Sequence, residues 1–417
     1  MELFLLHLNA FLRPILSMDL SFGGSKDAVM EVFNWVAILL FVVLGLAFMV
    51  NAAMRKQIRF TEIDLVIGAF VVWCVAVYLI YIDKAIGREM IKLVFPLFVY
   101  FVAKNILTNA EQYRRMLGIM IAAFTIPVIV STSLIALGKG VEGINYWTNI
   151  PRYEGVYNGA HNLGHNMVLL LMMIVVYVTV RPQAGDEEVQ VVRPTHKFYF
   201  AAMAVSAFYC LVMSQTRTQL LGAITFFGYY LFAFHRRIFY IASVVAIVLF
   251  ISFLPFLMST LLQDFGKVSS GAWGEEEIAS GRPRIWENNL TIFWNMPIDR
   301  QIAGIGIGNK DIFGGVEGTS DSHNDFLDVM IQTGIVGLVL YLTILLLMLR
   351  KIRQLSGREK HVFLGVFMAV VLMNFASNSY ITRSALAQTL FLMMTFVELP
   401  RPVKPQDNQG RVLSTGK

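Results

Sequence analysis

Charge is scarce in this chain. Of its 417 residues, 15% are Asp, Glu, Lys or Arg, against about 25% in an ordinary soluble domain, while 56% are hydrophobic and the mean hydropathy is +0.62. A soluble core of that length is thereby excluded. Cysteine is nearly absent as well: Cys74 and Cys210 both fall inside apolar runs, which leaves neither a disulfide framework nor a zinc site and makes both small buried hydrophobes. The glycine run Ala303 to Asn309 lacks the lysine of a phosphate-cradling Walker loop and follows no expected strand, so it reads as a turn where backbones approach closely. The net charge of +6 is spread over short loops rather than gathered in a patch, which argues against a nucleic-acid partner. The start of the chain has no basic stretch ahead of its apolar residues, so no cleaved signal peptide is expected.

What the chain does have is long apolar runs near the ~20 residues that cross a bilayer core. They fall at about 32–51, 63–82, 90–107, 116–136, 164–180, 198–214, 218–234, 238–255, 326–349, 362–380 and 384–400. Residues 3–17 are apolar but interrupted by His7, Asn9, Arg13 and Pro14, and read as a first short span or an interfacial helix. The expectation is an all-α membrane protein: a single polytopic domain over residues 1–417 with about twelve transmembrane helices.

Basic residues cluster in alternate loops, at Arg55, Lys56 and Arg59, at Arg114 and Arg115, at Arg181, Arg193 and Lys197, at Arg236 and Arg237, and from Arg350 to Lys360. The positive-inside rule puts these loops in the cytoplasm with a 401–417 tail. Loops 137–163 and 256–325 then face outward, and the longer one is expected to carry a helix. Within it, Trp286, Leu290, Phe293 and Trp294 share a face at helical spacing, which predicts an interfacial helix with its tryptophans at headgroup level.

That topology makes a second set of cations anomalous, because a charge at a helix mouth is costly unless solvated or paired. Lys84, Arg88 and Lys92 lie at one outward turn, Arg217 in the short turn Gln215-Thr216-Arg217-Thr218, and Arg282 and Arg284 in the long loop. Lys84, Lys92, Lys267 and Arg383, taken singly, fit snorkelling to headgroups as well as they fit function. Arg217 fits snorkelling less well. Its turn pins a planar guanidinium at the bilayer surface, where a two-pronged fork suits a phosphate. The stretch Arg152 to Asn166 alternates polar, aromatic and glycine residues before a span, a composition suited to sugar rings and hydroxyls, with Asn162 and His165 the foremost candidates. The competing account is a re-entrant turn in which His161 and His165 satisfy backbone groups. Finally, Ser322-His323-Asn324-Asp325-Phe326-Leu327 ends a polar loop and opens a strongly apolar helix. His323 is there either a functional imidazole or part of a helix cap formed by Ser322 or Asp325.

The order Thr216-Arg217, Ser280-Gly281-Arg282 with Trp286 four positions on, Gly304 to Asn309, and Ser322 to Leu327 followed by Gln332-Thr333-Gly334-Ile335-Val336-Gly337-Leu338 resembles the O-antigen ligase and polymerase superfamily. Arg152, Gly155 and Asn162 in order resemble that family's first outer loop, and the likeness covers about residues 60–400. The resemblance implies about twelve helices capped by a helical periplasmic loop in the bacterial inner membrane. It also implies en bloc glycan transfer from a polyprenyl pyrophosphate carrier to a sugar hydroxyl, without metal or cofactor. On that implication His323 is the general base or orients the acceptor hydroxyl, and Arg217 and Arg282 clamp the pyrophosphate. Lys84, Arg88 and Arg284, with Arg152, Asn162 and His165, complete the substrate contacts, and Asn324 orients His323. The acceptor is either a further lipid-linked glycan or lipid A core. The Ser-His-Asn-Asp form fits a polymerase slightly better than a ligase, and a lipid-linked glycan flippase or transporter is the alternative of another class.

Overall fold

The computed structural model describes residues 2–16, 18, 39, 42–48, 50–51, 58–83, 86–145, 150–180, 194–248, 251, 282–308, 322–377 and 383–400. Lys84, Lys267, the 401–417 tail and most of the 256–325 loop lie outside the described residues. The described elements are α1 (Glu2–Leu16), α2 (Glu62–Ile80), α3 (Gly87–Ile106), α4 (Ala110–Ala136), the strands β1 (Val141–Asn145) and β2 (Ile150–Tyr153), α5 (Ala160–Thr179), α6 (Pro194–Met213), α7 (Arg217–Phe234), α8 (Arg282–Trp294), α9 (Ile298–Ala303), α10 (Asp325–Gln354), α11 (Gly357–Ala376), α12 (Ser384–Met394) and a closing 3₁₀ turn Thr395–Glu398.

Most apolar runs are found as helices, and the helical, membrane-type architecture holds. The count of about twelve spans is not reproduced. Among the described residues five helices are long and apolar enough to cross a membrane: α2, α4, α5, α10 and α11; Lys197–Met213 and Leu386–Glu398 are shorter apolar helices. α3 has the length, but Arg88, Glu89, Lys92 and Lys104 make it too charged to count by composition. Nor is the structure purely helical, because loop 137–163 folds as the antiparallel hairpin β1–β2.

α5 begins at Ala160, four residues before the expected span. Two carboxylates explain the early start: Glu142 on β1 accepts from the Ala160 N–H at 2.9 Å, and Glu154 accepts from Gly159 N–H at 3.2 Å. Negative charge at a helix N-terminus satisfies its orphan donors and its dipole. The hairpin therefore sets where His161, Asn162 and His165 stand.

α10 is broken at Gly334, whose φ of 70° and ψ of −176° interrupt an otherwise continuous helix. The break exists because another segment enters it. A side chain at Gly334 would sit 2.0 Å from the Ile302 carbonyl oxygen, and one at Gly304 (φ 79°) would sit 2.5 Å from Gln332. Both positions require glycine for backbone conformation and for space. The freed backbone groups are taken by protein: Trp73 Nε1 donates to Thr333 O at 2.8 Å, and Ile305 N–H donates to Ile331 O at 3.0 Å. The glycine run thus performs the expected close approach, and Asp325–Thr333 becomes a short outer segment tied to α9. Around it, α5, α7 and α11 pack together beside α12, with Phe226, Phe363, Val366 and Met373 in their shared core.

Candidate active site

The site gathers where the first turns of α5, α7, α8 and α10 meet the end of α11. At α7, Ser214 Oγ stands 2.7 Å from Thr216 Oγ1, and Gln215 between them takes a left-handed φ of 52°. Gly164 of α5 permits this turn to pack closely, since a Cβ there would lie 2.3 Å from Thr216 Oγ1. Arg217 follows as the first residue of α7, its side chain exposed.

Arg282 opens α8 and is half-buried. Its Nη1 donates to Ala376 O at 2.5 Å and to Thr218 Oγ1 at 3.2 Å, and Thr218 also donates to Ala376 O at 3.2 Å. These acceptors are neutral, and the Arg282 Nε has no partner. Burial lowers the guanidinium's hold on its proton, and the neighbouring Arg217 charge lowers it further. Both penalties on the cation would be relieved by an arriving anion.

His323 precedes α10 with a left-handed φ of 51°. Together with Gln215 it is one of two non-glycine residues of positive φ among the described residues, and both stand at this mouth. For a non-glycine residue such a conformation costs on the order of 1–3 kcal/mol and persists only when its surroundings impose it. Those surroundings are the flanking residues. Trp286 Nε1 donates to Ser322 O at 2.7 Å, Ser322 Oγ donates to Asn324 O at 2.8 Å, and Ser322 N–H donates to Asp328 Oδ1 at 3.3 Å. Asn324 Oδ1 accepts from the N–H groups of Phe326 and Leu327 at 3.0 and 3.2 Å. Asn324, rather than Ser322 or Asp325, is therefore the cap of α10, and its amide oxygen is engaged there. Asp325 is fully buried, and the Asn374 amide bridges its carboxylate at 3.2 Å to the Tyr341 hydroxyl at 3.1 Å.

Trp286 is thus a clamp on the His323 loop, held edge-on to Phe375 at 5.3 Å between centroids. Phe293 of the same helix is buried, whereas Trp294 is 57% exposed and lies off that face.

On α5, Asn162 has both ends of its amide occupied: Arg383 Nε donates to its Oδ1 at 2.6 Å, and its Nδ2 donates to Asn158 O at 2.6 Å. His165 is buried, with Nδ1 2.8 Å from His161 O and 2.7 Å from Gln219 Nε2. His161 sits one turn above, its Nδ1 without a partner, within electrostatic reach of Arg383, Arg152, Arg282 and His323. Arg152 on β2 is 3.6 Å from Glu142 and so is charge-paired, unlike Arg282. Below this mouth an apolar cavity runs between α10, α11 and α12, with His165, Tyr341 and Asn374 as its polar lining.

Of the expected residues, then, Arg217, Arg282, His323, Arg152, Asn162, His165 and Asn324 come together. Arg284 is exposed on α8, and the described contacts do not join Arg88, exposed on the first turn of α3, to the cluster. Arg383, which the sequence left between snorkelling and function, and His161, read there only as a residue that could satisfy backbone groups, join them. Arg383 immediately precedes α12, and Arg217 is the first residue of α7; a cation at a helix start was the available signal. Among the described residues no group of three or more His, Cys, Asp or Glu side chains is placed to hold a metal ion.

Residues 202–342 match the model of the O-antigen ligase family. This segment runs from α6 through the Arg217 turn, α8 and the His323 loop into α10. It bears out the resemblance to the O-antigen ligase and polymerase superfamily. No curated protein matches the chain.

Proposed function

We propose that this protein transfers a glycan en bloc from a polyprenyl pyrophosphate carrier to a sugar hydroxyl, within the O-antigen ligase and polymerase type of function that the family match supports. The observation that carries the reading is the meeting of the His323 loop, held in a strained conformation, with the helix of Arg282, whose partners among the described residues are neutral oxygens beside the like charge of Arg217.

The acceptor oxygen attacks the anomeric carbon, and the bond from that carbon to the pyrophosphate oxygen breaks. The acceptor proton passes to the His323 imidazole, which serves as the general base. The pyrophosphate leaves with its new charge held by Arg217 and Arg282, the latter fixed beforehand by its bonds to Ala376 O and Thr218 Oγ1. One displacement inverts the anomeric configuration. No carboxylate nucleophile of the retaining kind is required, and the arginines supply the counter-charge without a metal. Lipid-linked glycan serves as donor, and the acceptor is a second lipid-linked repeat unit in a polymerase or lipid A core in a ligase. The first is favoured. The broken α10 gives the transporter alternative little support, because its freed backbone groups bond to protein rather than line an open path.

This mouth faces the periplasm from the bacterial inner membrane, in a bundle of about twelve spans. Cysteines placed at Ser269 and Gly318 should react with an impermeant thiol reagent added to intact spheroplasts, while one at Ser356 should not. The reverse labelling would overturn the orientation. Purified protein given polyprenyl pyrophosphate glycan, with lipid A core or with a second lipid-linked unit, should extend the latter. Turnover with lipid A core alone would make it a ligase, and no turnover with either would remove the transferase reading.

A further inference from the structure

The two side chains of α5 expected to meet sugar are both engaged by the protein itself. Asn162 Oδ1 accepts from Arg383 Nε and its Nδ2 donates to Asn158 O, each at 2.6 Å, while His165 is buried with Nδ1 2.8 Å from His161 O. The side chain of His161 stays out of that network. It lies on the first turn of α5, its ring nitrogen Nδ1 has no hydrogen-bond partner, and the residue is part-exposed. Polar atoms that a fold covers without bonding are few, and each calls for an explanation. The position of this one supplies it, because Arg282 and His323 both lie within electrostatic reach of the imidazole. In the displacement described above, the anomeric carbon sits between the base and the departing pyrophosphate. A side chain near both His323 and Arg282 therefore borders the sugar ring that carries that carbon. The hydroxyls of that ring need acceptors as well as donors. Guanidinium groups only donate, and Ala376 O, Asn162 Oδ1 and Asn324 Oδ1 already accept bonds within the protein. A neutral imidazole has one N–H and one lone pair, so it gives a bond to one hydroxyl and takes one from another. A half-turn about Cβ–Cγ carries Nδ1 to the opposite edge of the ring, so the covered nitrogen need not stay covered when a ligand arrives.

We infer that His161 is a further substrate-binding residue, holding a non-reacting hydroxyl of the sugar that the pyrophosphate carries. This rests on the pyrophosphate reading above, and it moves the sugar contact on α5 from Asn162 and His165 to the histidine that precedes Asn162.

The test compares two ligands of the full-length protein in nanodiscs: the undecaprenyl pyrophosphate-linked repeat unit isolated from the producing cell, and undecaprenyl pyrophosphate without sugar. His161→Phe keeps a planar ring that neither donates nor accepts through a nitrogen. Its affinity for the glycan-bearing carrier should fall at least tenfold, while the bare carrier binds as to the parent protein. His161→Leu should do the same with a smaller side chain, and His161→Gln, whose amide both donates and accepts, should recover most of the loss. Arg282→Lys should weaken both carriers together, because it loses the fork at the phosphates. Parent-like binding of the glycan-bearing carrier by His161→Phe and His161→Leu, with Arg282→Lys weakened on both carriers, would overturn this inference and leave the pyrophosphate reading standing. An equal loss on the two carriers in the His161 variants would do the same, since sugar would then not be what the imidazole meets. A His161→Gln as weak as His161→Phe would remove the hydrogen-bonding role. Parent-like binding of both carriers by Arg282→Lys would bring down the pyrophosphate reading and this inference with it.

Discussion

The two ends of the helical bundle both gather charge, and they treat it in opposite ways. At one end Lys104, 2% exposed, bonds to Asp64 and to Thr61 Oγ1 at 3.1 Å, and stands 3.8 Å from Glu398. Lys351 lies 3.4 Å from the same glutamate, near enough for an ion pair without a formed hydrogen bond, and Arg59 donates to the Lys104 and Leu107 carbonyls. At the other end Arg217, Arg282 and Arg383 come together with His161 and His323, and the partners of Arg282 among the described residues are neutral oxygens. Opposite charges brought together close a structure on itself. Like charges brought together raise the local affinity for an anion. α12 and its 3₁₀ extension join the two, with Arg383 at its start and Glu398 at its end.

If that distinction is right, the ends should respond differently to substitution. The largest effect is expected at the paired end. Lys104→Ala strands Asp64 and should destabilise the fold by about 3–5 kcal/mol, whereas Lys104→Met with Asp64→Leu should recover most of that loss. Thermal unfolding reads both, and transfer per folded molecule should be unchanged in the double variant. A large loss of transfer in a fully folded double variant would erase the distinction.

Next comes the mouth. Arg217→Lys should leave unfolding unchanged but lower transfer by more than tenfold, equivalent to about 1.4 kcal/mol or more in the barrier, because a lysine has charge without the fork. Arg236→Lys, on the far side of α7 from the mouth, should change neither quantity. Equal tolerance at both positions would reduce Arg217 to a snorkelling residue.

A smaller effect tests the scaffold beneath His323. Asn324→Ala removes the cap of α10 and should cost about 0.5–2 kcal/mol, with Asn324→Ser recovering most of it. Because the cap also holds the histidine loop, transfer should fall and recover in parallel with stability. Full activity in a destabilised Asn324→Ala would separate the cap from the site.

What was legible in the sequence was local. The apolar run 326–349 lies within Asp325–Gln354 and the run 218–234 within Arg217–Phe234, because bilayer-spanning segments advertise themselves by composition. The mouth was legible through its misplaced cations, for Arg217 and Arg282 contradict the charge bias of their loops. Features set by distant partners were not visible. Nothing around Gly334 signals a break, since the carbonyl that forces it belongs to Ile302, in another helix. The early start of α5 depends on Glu142, across a hairpin that a Gly-containing, partly polar stretch did not announce. Nothing near Asp64 signals its ion-pair partner, Lys104, which lies 40 residues away. Arg383 went unassigned for the same reason: its meaning comes from Asn162, which precedes it by 221 residues.

The most direct test of the mouth as a catalytic centre separates binding from chemistry at His323. Purified His323→Asn, in a shape and polarity that the loop can hold, should bind undecaprenyl pyrophosphate glycan like the parent protein, because the arginines remain, while transfer falls by about 10²–10⁴ as expected for loss of a general base. Near-parental transfer by His323→Asn, with donor binding intact, would contradict the account and make the strained histidine a structural residue.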